Sequence, residues 1–443
     1  MTWNVVLIVI VFIALCALMY TKKLNAMFAL PIMALLIAII AGIPWGDVVV
    51  EGETAKGIQT LLFVDGPLRL GSTFITFIFG AILSQQVKNT GIAETLVRKV
   101  SEMAGDRPLI LCLALYVVLA VLYTTLSGLG AFMMLGSIVL PIMISLGITP
   151  LVAGGVMLFA LSTGGIFNLT NWSLYIDTMG IPLETVRGFA YFAGIVFGLV
   201  GVLFCVVEVK FGGFKGLFNK NARPAKRKVA WPMPAQEENV KTPKVHWWAM
   251  LTPLVPLVAV IGFGLSINVG FALAIVYCFF ATLRKGSLQQ MSKAVTEGIS
   301  GAAGAIFLLL GIGMLLVVVM DSRVTAILGP AMAKILPSTA ITFVIFFSLL
   351  APLALYRGPL NVWGLGLGLA SVMASTGKLG ATSIMAALMT TGQIQTVCDP
   401  TNTHNVWTAS ATGTDVNDIM KKTLPYVWGA VVVALIVAAF LYF

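Results

Sequence analysis

Apolar runs as long as a bilayer is thick follow one another along the chain, separated by short polar stretches. Asn4 to Tyr20, Ala26 to Ile43, Phe189 to Val207 and Trp428 to Phe443 are nearly or wholly uncharged over roughly the ~20 residues that a helix needs to cross hydrocarbon. Each predicts a membrane helix. The period-2 alternation of a membrane β-barrel is absent, so intra-helical bonding is how this backbone satisfies itself in lipid. The first apolar run lacks a basic leader and a small-residue cleavage site, which predicts a retained helix and not a signal peptide.

The polar interruptions recur in a fixed order. Three helices are followed by an amphipathic arm, Val87 to Asp106, and then by a long apolar stretch, Leu109 to Leu146, interrupted by Thr124, Thr125, Ser127 and Gly128. The same order returns with an arm at Asp321 to Leu336 and a stretch, Ala340 to Ala374, interrupted by Arg357, Gly358, Pro359 and Asn361. A stretch of two half-length helices with a polar middle predicts a re-entrant hairpin whose tip lies at mid-membrane. Directly downstream, Leu151 to Ser162 is expected to break at Thr163, Gly164 and Gly165, leaving Gly164 to Asn171 irregular. Ala381 to Thr391 is expected to break at Gly392, leaving Gln393 to Asn405 irregular.

These readings give two repeats. Residues 1–213 form the first, with a hairpin at 108–147 and a broken helix at 149–176. Residues 247–443 form the second, with a hairpin at 338–376 and a broken helix at 379–414, and 214–246 join the two. The basic linker places the two arms on opposite sides of the membrane, so the repeats are inverted. The fold class is therefore an all-α polytopic membrane protein of two inverted repeats, each with membrane helices, an interfacial arm, a re-entrant hairpin and a broken helix.

Composition agrees with this pattern, since 59% of the 443 residues are hydrophobic and only 10% charged. The net charge of +10 is spread between apolar segments and forms no single patch, which argues against nucleic acid and turns the basic residues into topology markers. Lys22, Lys23, the Lys88 to Arg107 stretch, the linker, Arg284, Lys285, Lys421 and Lys422 are expected on the cytoplasmic side. Asp47 to Glu53, Asp177 to Glu184 and both termini then face outward, with Lys378 as the exception. Five scattered cysteines show no metal or redox spacing, and no nucleotide-binding loop is present. The glycines of Gly364-Leu-Gly366-Leu-Gly368 read as small-residue helix packing.

Two hairpin tips facing two broken helices make one central site. Helix N-termini there suit an anion, while unwound carbonyls and short polar side chains suit a cation. Thr124, Thr125, Ser127, Gly128, Asn168, Thr170, Asn171, Arg357, Gly358, Asn361, Thr401, Asn402 and Thr403 are the candidate substrate ligands. Arg357 costs roughly 2.5–3.5 kcal/mol at the centre of a membrane segment. Its planar fork on a substrate carboxylate offsets that cost, as does an ion pair with Asp399. Asp399 and His404 are candidates for carrying a coupling proton, and a helix-cap role is the other reading of His404.

The doubled and inverted order of arm, hairpin and broken helix resembles the ion transporter superfamily, which includes symporters of citrate, dicarboxylates and related divalent anions. The resemblance implies homodimers and an elevator-type motion. In the sodium-coupled branch each tip carries Ser-Asn-Thr, whereas here the tips read Thr124-Thr125-Leu126-Ser127-Gly128 and Tyr356-Arg357-Gly358-Pro359-Leu360-Asn361, so sodium sites do not carry over. The expected function is symport of a small organic anion across a bacterial inner membrane, driven by Na⁺ or H⁺, without a resident cofactor and without enzymatic catalysis. A cation/proton antiporter is the alternative, disfavoured by a single intramembrane carboxylate.

Overall fold

The computed structural model describes residues 3–21, 23–50, 53–213 and 245–443, so most of the expected linker, 214–244, lies outside the described residues. The first half opens with α1 (Trp3–Tyr20) and α2 (Ala26–Ile40), the latter started by Asn25, whose side chain accepts from the Met27 amide. A third span follows in two pieces, α3 (Ile58–Arg69) and α4 (Gly71–Asn89), bent by 44° at Leu70 and carrying a π-helical turn at Leu61–Asp65. The expectation of three plain helices is corrected here. Pro67 follows that turn, and its ring removes an amide from the helical ladder. A short antiparallel hairpin, Val48–Val50 with Glu53–Ala55, sits in the acidic loop before it and was not expected. Asp47 beside it accepts the Gly57 amide at 2.7 Å, which holds its carboxyl below the usual range.

Next come the arm α5 (Ile92–Ala104), the limbs α6 (Pro108–Tyr123) and α7 (Leu129–Ser145), the bent pair α8 (Pro150–Ile166) and α9 (Leu169–Met179), and α10 (Leu183–Phe211). The second half repeats the order. It runs through α11 (Trp247–Gly262), α12 (Ile267–Ala281), α13 (Ser287–Met320) and the arm α14 (Ser322–Ile335). The next limb, α15 (Ala340–Leu350), tightens into a 3₁₀ turn at Ala351–Arg357. The second limb is a π turn at Val362–Gly366 leading into α16 (Leu367–Ser375). Then come α17 (Ala381–Cys398), α18 (Thr403–Thr412) and α19 (Val416–Tyr442). The arm α14 meets the hairpin at 100°, the geometry of a helix lying along the membrane before one that dips into it.

A re-entrant hairpin adds no net crossing. By length and composition α10, α13 and α19 can each cross a membrane, as can α3–α4 and α8–α9 if each bent pair is one span, while α1, α2, α6, α7, α11 and α12 are shorter apolar helices. Gln85, Asn89 and Glu297 bond at the end of α4 beside α13, and Tyr426 of α19 bonds Glu208 of α10, so both halves contribute to both layers. One layer is a frame in which α13 packs on α2, α3 and α4, and α12 packs on α4. The other layer holds the hairpins, the broken helices, α10 and α19, where α8 packs on α17 and α10 on α19.

Lipid supplies no hydrophobic drive between helices, so close backbone approach does the work. In the frame, α13 brings Gly313 against the Gly66 carbonyl, Gly311 against Pro31 and Leu30, and Gly298 against the Ala81 carbonyl. A β-carbon at Gly313 would overlap that carbonyl, which cannot swing away as a side chain can. Gly313→Val is expected to cost about 1–3 kcal/mol or more by overpacking and to lower the yield of monodisperse protein in detergent. A variant of unchanged yield and melting temperature would show that the frame yields at this contact.

Candidate functional site

Both helix breaks are built on an asparagine cap. Asn168 accepts from the Thr170 amide at 3.0 Å to start α9, and Asn402 accepts from the His404 amide at 3.1 Å to start α18. The spare amide of Asn168 reaches the Tyr123 carbonyl at 3.0 Å and Ser127 Oγ at 3.3 Å, both at the tip of the first hairpin. Asn171 closes the turn by donating to the Gly165 carbonyl at 2.8 Å. The breaks are narrower than expected: α8 runs through Gly164 and Gly165 to Ile166, and α17 runs through Gly392, Gln393 and Gln395 to Cys398. At Gly164 the reason is close approach, because the glycine makes room for a neighbour without disturbing the helix. Gly164 lies against the Ala120 carbonyl and Tyr123, where a β-carbon would collide.

The second tip is held by a carboxylate. Tyr356 adopts φ 55°, the one non-glycine residue with positive φ among the described residues. Its amide donates to Asp399 Oδ1 at 3.0 Å, and the same oxygen accepts from the Thr401 amide at 2.8 Å and hydroxyl at 2.7 Å. Asp399, 1% exposed, therefore ties the second break to the second tip as Asn168 ties the first break to the first tip. Gly358 packs on the Leu353 carbonyl, where a β-carbon would collide.

A cavity of about 320 Å³ lies between the tips and the breaks. Of the expected residues, Ser127, Gly128, Asn168, Thr170, Asn171, Asn361, Asp399, Asn402, Thr403 and His404 line it. Thr124, Thr125, Gly358 and Thr401 are not in its wall. The two threonines of the first tip turn their hydroxyls back onto the Val121 and Leu122 carbonyls, and Thr401 serves Asp399. Arg357 ends the 3₁₀ turn at the second tip, and its side chain lies outside the described ones. His404 sits edge-on to Phe132 at 5.0 Å, with Nδ1 3.1 Å from Asn402 Oδ1, so it joins the second break to the first hairpin.

Sequence reasoning missed several wall residues. Gln393, Gln395 and Thr396 on α17 belong to the wall, and their signal was polar side chains inside an apolar helix. Gln393 is a staple: its Oε1 accepts from Ser162 of α8 at 2.8 Å, and its Nε2 donates to the Met389 carbonyl at 2.9 Å. Phe77 of α4 and Trp363 of the second hairpin meet edge to face at 5.5 Å on the frame side, and nothing local in the sequence marked them.

The layer carrying the cavity touches the frame through a hydroxyl chain beside α9. Thr73 donates by amide and hydroxyl to Asp177 at 2.8 and 2.7 Å, and Thr76 donates to Asn268 of α12 at 2.6 Å. Ser173 stands 3.2 Å from both threonine hydroxyls. Each contact is a short polar bond that exchanges readily for another, unlike the glycine-packed frame.

No family model matches the chain, and no curated protein sequence matches it. Among solved structures it is similar to the YdaH transporter of Alcanivorax borkumensis, at 15% identity and a TM-score of 0.61 over 93% of this chain and 96% of that one. It is also similar to MtrF of Neisseria gonorrhoeae, described within a class of antimetabolite efflux pumps, at 12% identity and a TM-score of 0.58 over 94% of this chain and 95% of that one. Over almost its whole length, this chain has the fold of those two membrane transporters.

Proposed function

We propose that the protein is a secondary active transporter of a small organic anion, a carboxylate, moved by symport with H⁺ or Na⁺ across a bacterial inner membrane by a homodimer. The observation that carries this reading is the gathering of helix ends around one cavity of ligand size. α6, α8 and α17 end there on carbonyls, and α7, α9, α18 and the Val362 turn begin there on amides. Carbonyl ends suit a cation and amide ends an anion, so one cavity serves both partners of a symporter. The caps sharpen this division. Asn168 and Asn402 occupy the amides that open α9 and α18, whereas α7 opens on Gly128 and the π turn on Asn361 with no side-chain cap bond. Uncapped amides at the two hairpin tips are the ones free for a carboxylate, with Arg357 beside the second tip.

Movement follows from the layers. The cavity-bearing layer slides against the frame, breaking the Thr73–Asp177 and Thr76–Ser173 contacts and parting Phe77 from Trp363. Asp399 and His404 are the groups for a coupling proton. The similarity to MtrF favours a second reading, export of an antimetabolite-like compound by exchange for a cation.

The test uses purified protein with a panel of carboxylates, with and without Na⁺ and across pH. A substrate present at 100 times its Kd should stabilise the fold by about 2.7 kcal/mol. Proteoliposomes should then accumulate it only under an imposed cation gradient of inward direction. Absence of stabilisation by every carboxylate would overturn the reading, and uptake driven by an outward gradient would move it to exchange.

A further inference from the structure

Four of the six carboxamides in the cavity wall are fully committed to holding the protein together, and a fifth is committed through its amide nitrogen alone. Asn168 and Asn402 cap helices, Asn171 closes the first break, and Gln393 staples α8 to α17, while Asn361 donates to the Ala354 carbonyl and keeps its Oδ1 buried without a partner. Gln395 differs. Its backbone carbonyl accepts from Asn402 at 3.2 Å, which steadies its position at the end of α17, but its carboxamide makes no hydrogen bond to any described residue. The residue is only 8% exposed, and with Asn171, Trp363, Gln393 and Thr396 it borders both the central cavity and a void of about 30 Å³. Its polar atoms are not sealed off from the cavity, so they face whatever fills it. In the wall of a cavity, the partner that completes it is the occupant.

A carboxamide presents one acceptor and two donors side by side. A carboxylate only accepts, so it would use half of that surface and leave Gln395 Oε1 unmatched. A hydroxyl or an amide both donates and accepts. We propose that Gln395 sets the specificity of the site, and that the substrate carries a hydroxyl or amide group in addition to its carboxylate. This rests on the transport reading above and refines it, because the uncapped tips account for the carboxylate while Gln395 accounts for the second group. Sites built to hydrogen-bond a substrate hydroxyl discriminate strongly against analogues that lack it, since the protein group is then left dry and unpaired.

The experiment compares matched acids in proteoliposomes and by thermal shift, using 2-hydroxypropanoate against propanoate and 2-hydroxybutanedioate against butanedioate. In the wild-type protein the hydroxylated member of a pair is expected to bind at least tenfold more tightly. In Gln395→Leu that ratio should fall to within threefold. Gln395→Glu, nearly the same shape, should keep its melting temperature without ligand and lose anion binding, which covers the case in which the leucine variant does not fold. Equal binding of both members by the wild type, or an unchanged ratio in folded Gln395→Leu, would overturn the proposal while leaving transport of carboxylates standing. If no acid of either kind binds the wild type, the transport reading fails first and this inference goes with it.

Discussion

Asp399→Ala should abolish transport and loosen the second hairpin tip, whereas Asp399→Asn should keep the fold and change only what depends on charge. One carboxylate oxygen accepts three bonds, from the Tyr356 amide and from both donors of Thr401. Hydrogen bonds to a charged group contribute about 1.5–3 kcal/mol each, and the alanine variant loses all three at once. Tyr356 would at the same time be left in a left-handed conformation that costs about 1–3 kcal/mol and lasts only while its surroundings enforce it. The asparagine variant retains an acceptor oxygen at the same place, so it should melt close to wild type. If Asp399 also carries the coupling proton, Asp399→Asn proteoliposomes will exchange substrate across the membrane but will not accumulate it against a gradient. Active accumulation by that variant would restrict Asp399 to holding the tip. Normal uptake by Asp399→Ala would remove it from the site altogether.

The second large effect is expected far from the cavity, where α10 meets α19. Glu208 has a side chain only 2% exposed, paired to Lys422 Nζ at 2.7 Å and accepting from the Tyr426 hydroxyl at 2.8 Å. Lys422→Met should destabilise the protein strongly, by up to about 3–5 kcal/mol, because among the described residues it leaves a buried carboxylate with the Tyr426 phenol as its remaining side-chain partner. Glu208→Gln in the Lys422→Met background should recover most of the loss, since a neutral amide can still accept from Tyr426. Melting temperatures of the two single variants and the double variant in one detergent give the cycle. A double variant no better than Lys422→Met would mean that the ion pair contributes little and that packing of the lysine stem matters more. The pair joins the last helix of one half to the last helix of the other, so its loss should separate the halves and not merely fray an end.

The elements whose physics is local were legible along the chain. Apolar length and the absence of alternation gave helices, because backbone in lipid must bond within its own segment. Asn168 and Asn402 could be read as markers of interruption because an asparagine side chain caps a helix wherever it sits. The tip at Gly358-Pro359 was legible for a related reason, as proline and glycine act on the backbone of their own residues. The misreadings came where a residue's local and tertiary roles differ. Gly164 and Gly392 look like breakers, yet the helices run on through both, and Gly164 lets a neighbouring chain approach closely. Gln393 looks like a polar residue that helix would reject, yet its amide is satisfied by the Met389 carbonyl and by Ser162 of another helix.

Pattern in the chain thus settles which segments are helical and which short stretches are interrupted, since each of these depends on energies within a few residues. Tertiary structure alone decides that Asp399 holds Tyr356, that Glu208 finds Lys422, that Phe77 faces Trp363, and that Gln395 is the wall carboxamide left open. Those partners are brought together by how two layers pack, and close packing depends on the shapes of all the helices at once, which no local run of residues records.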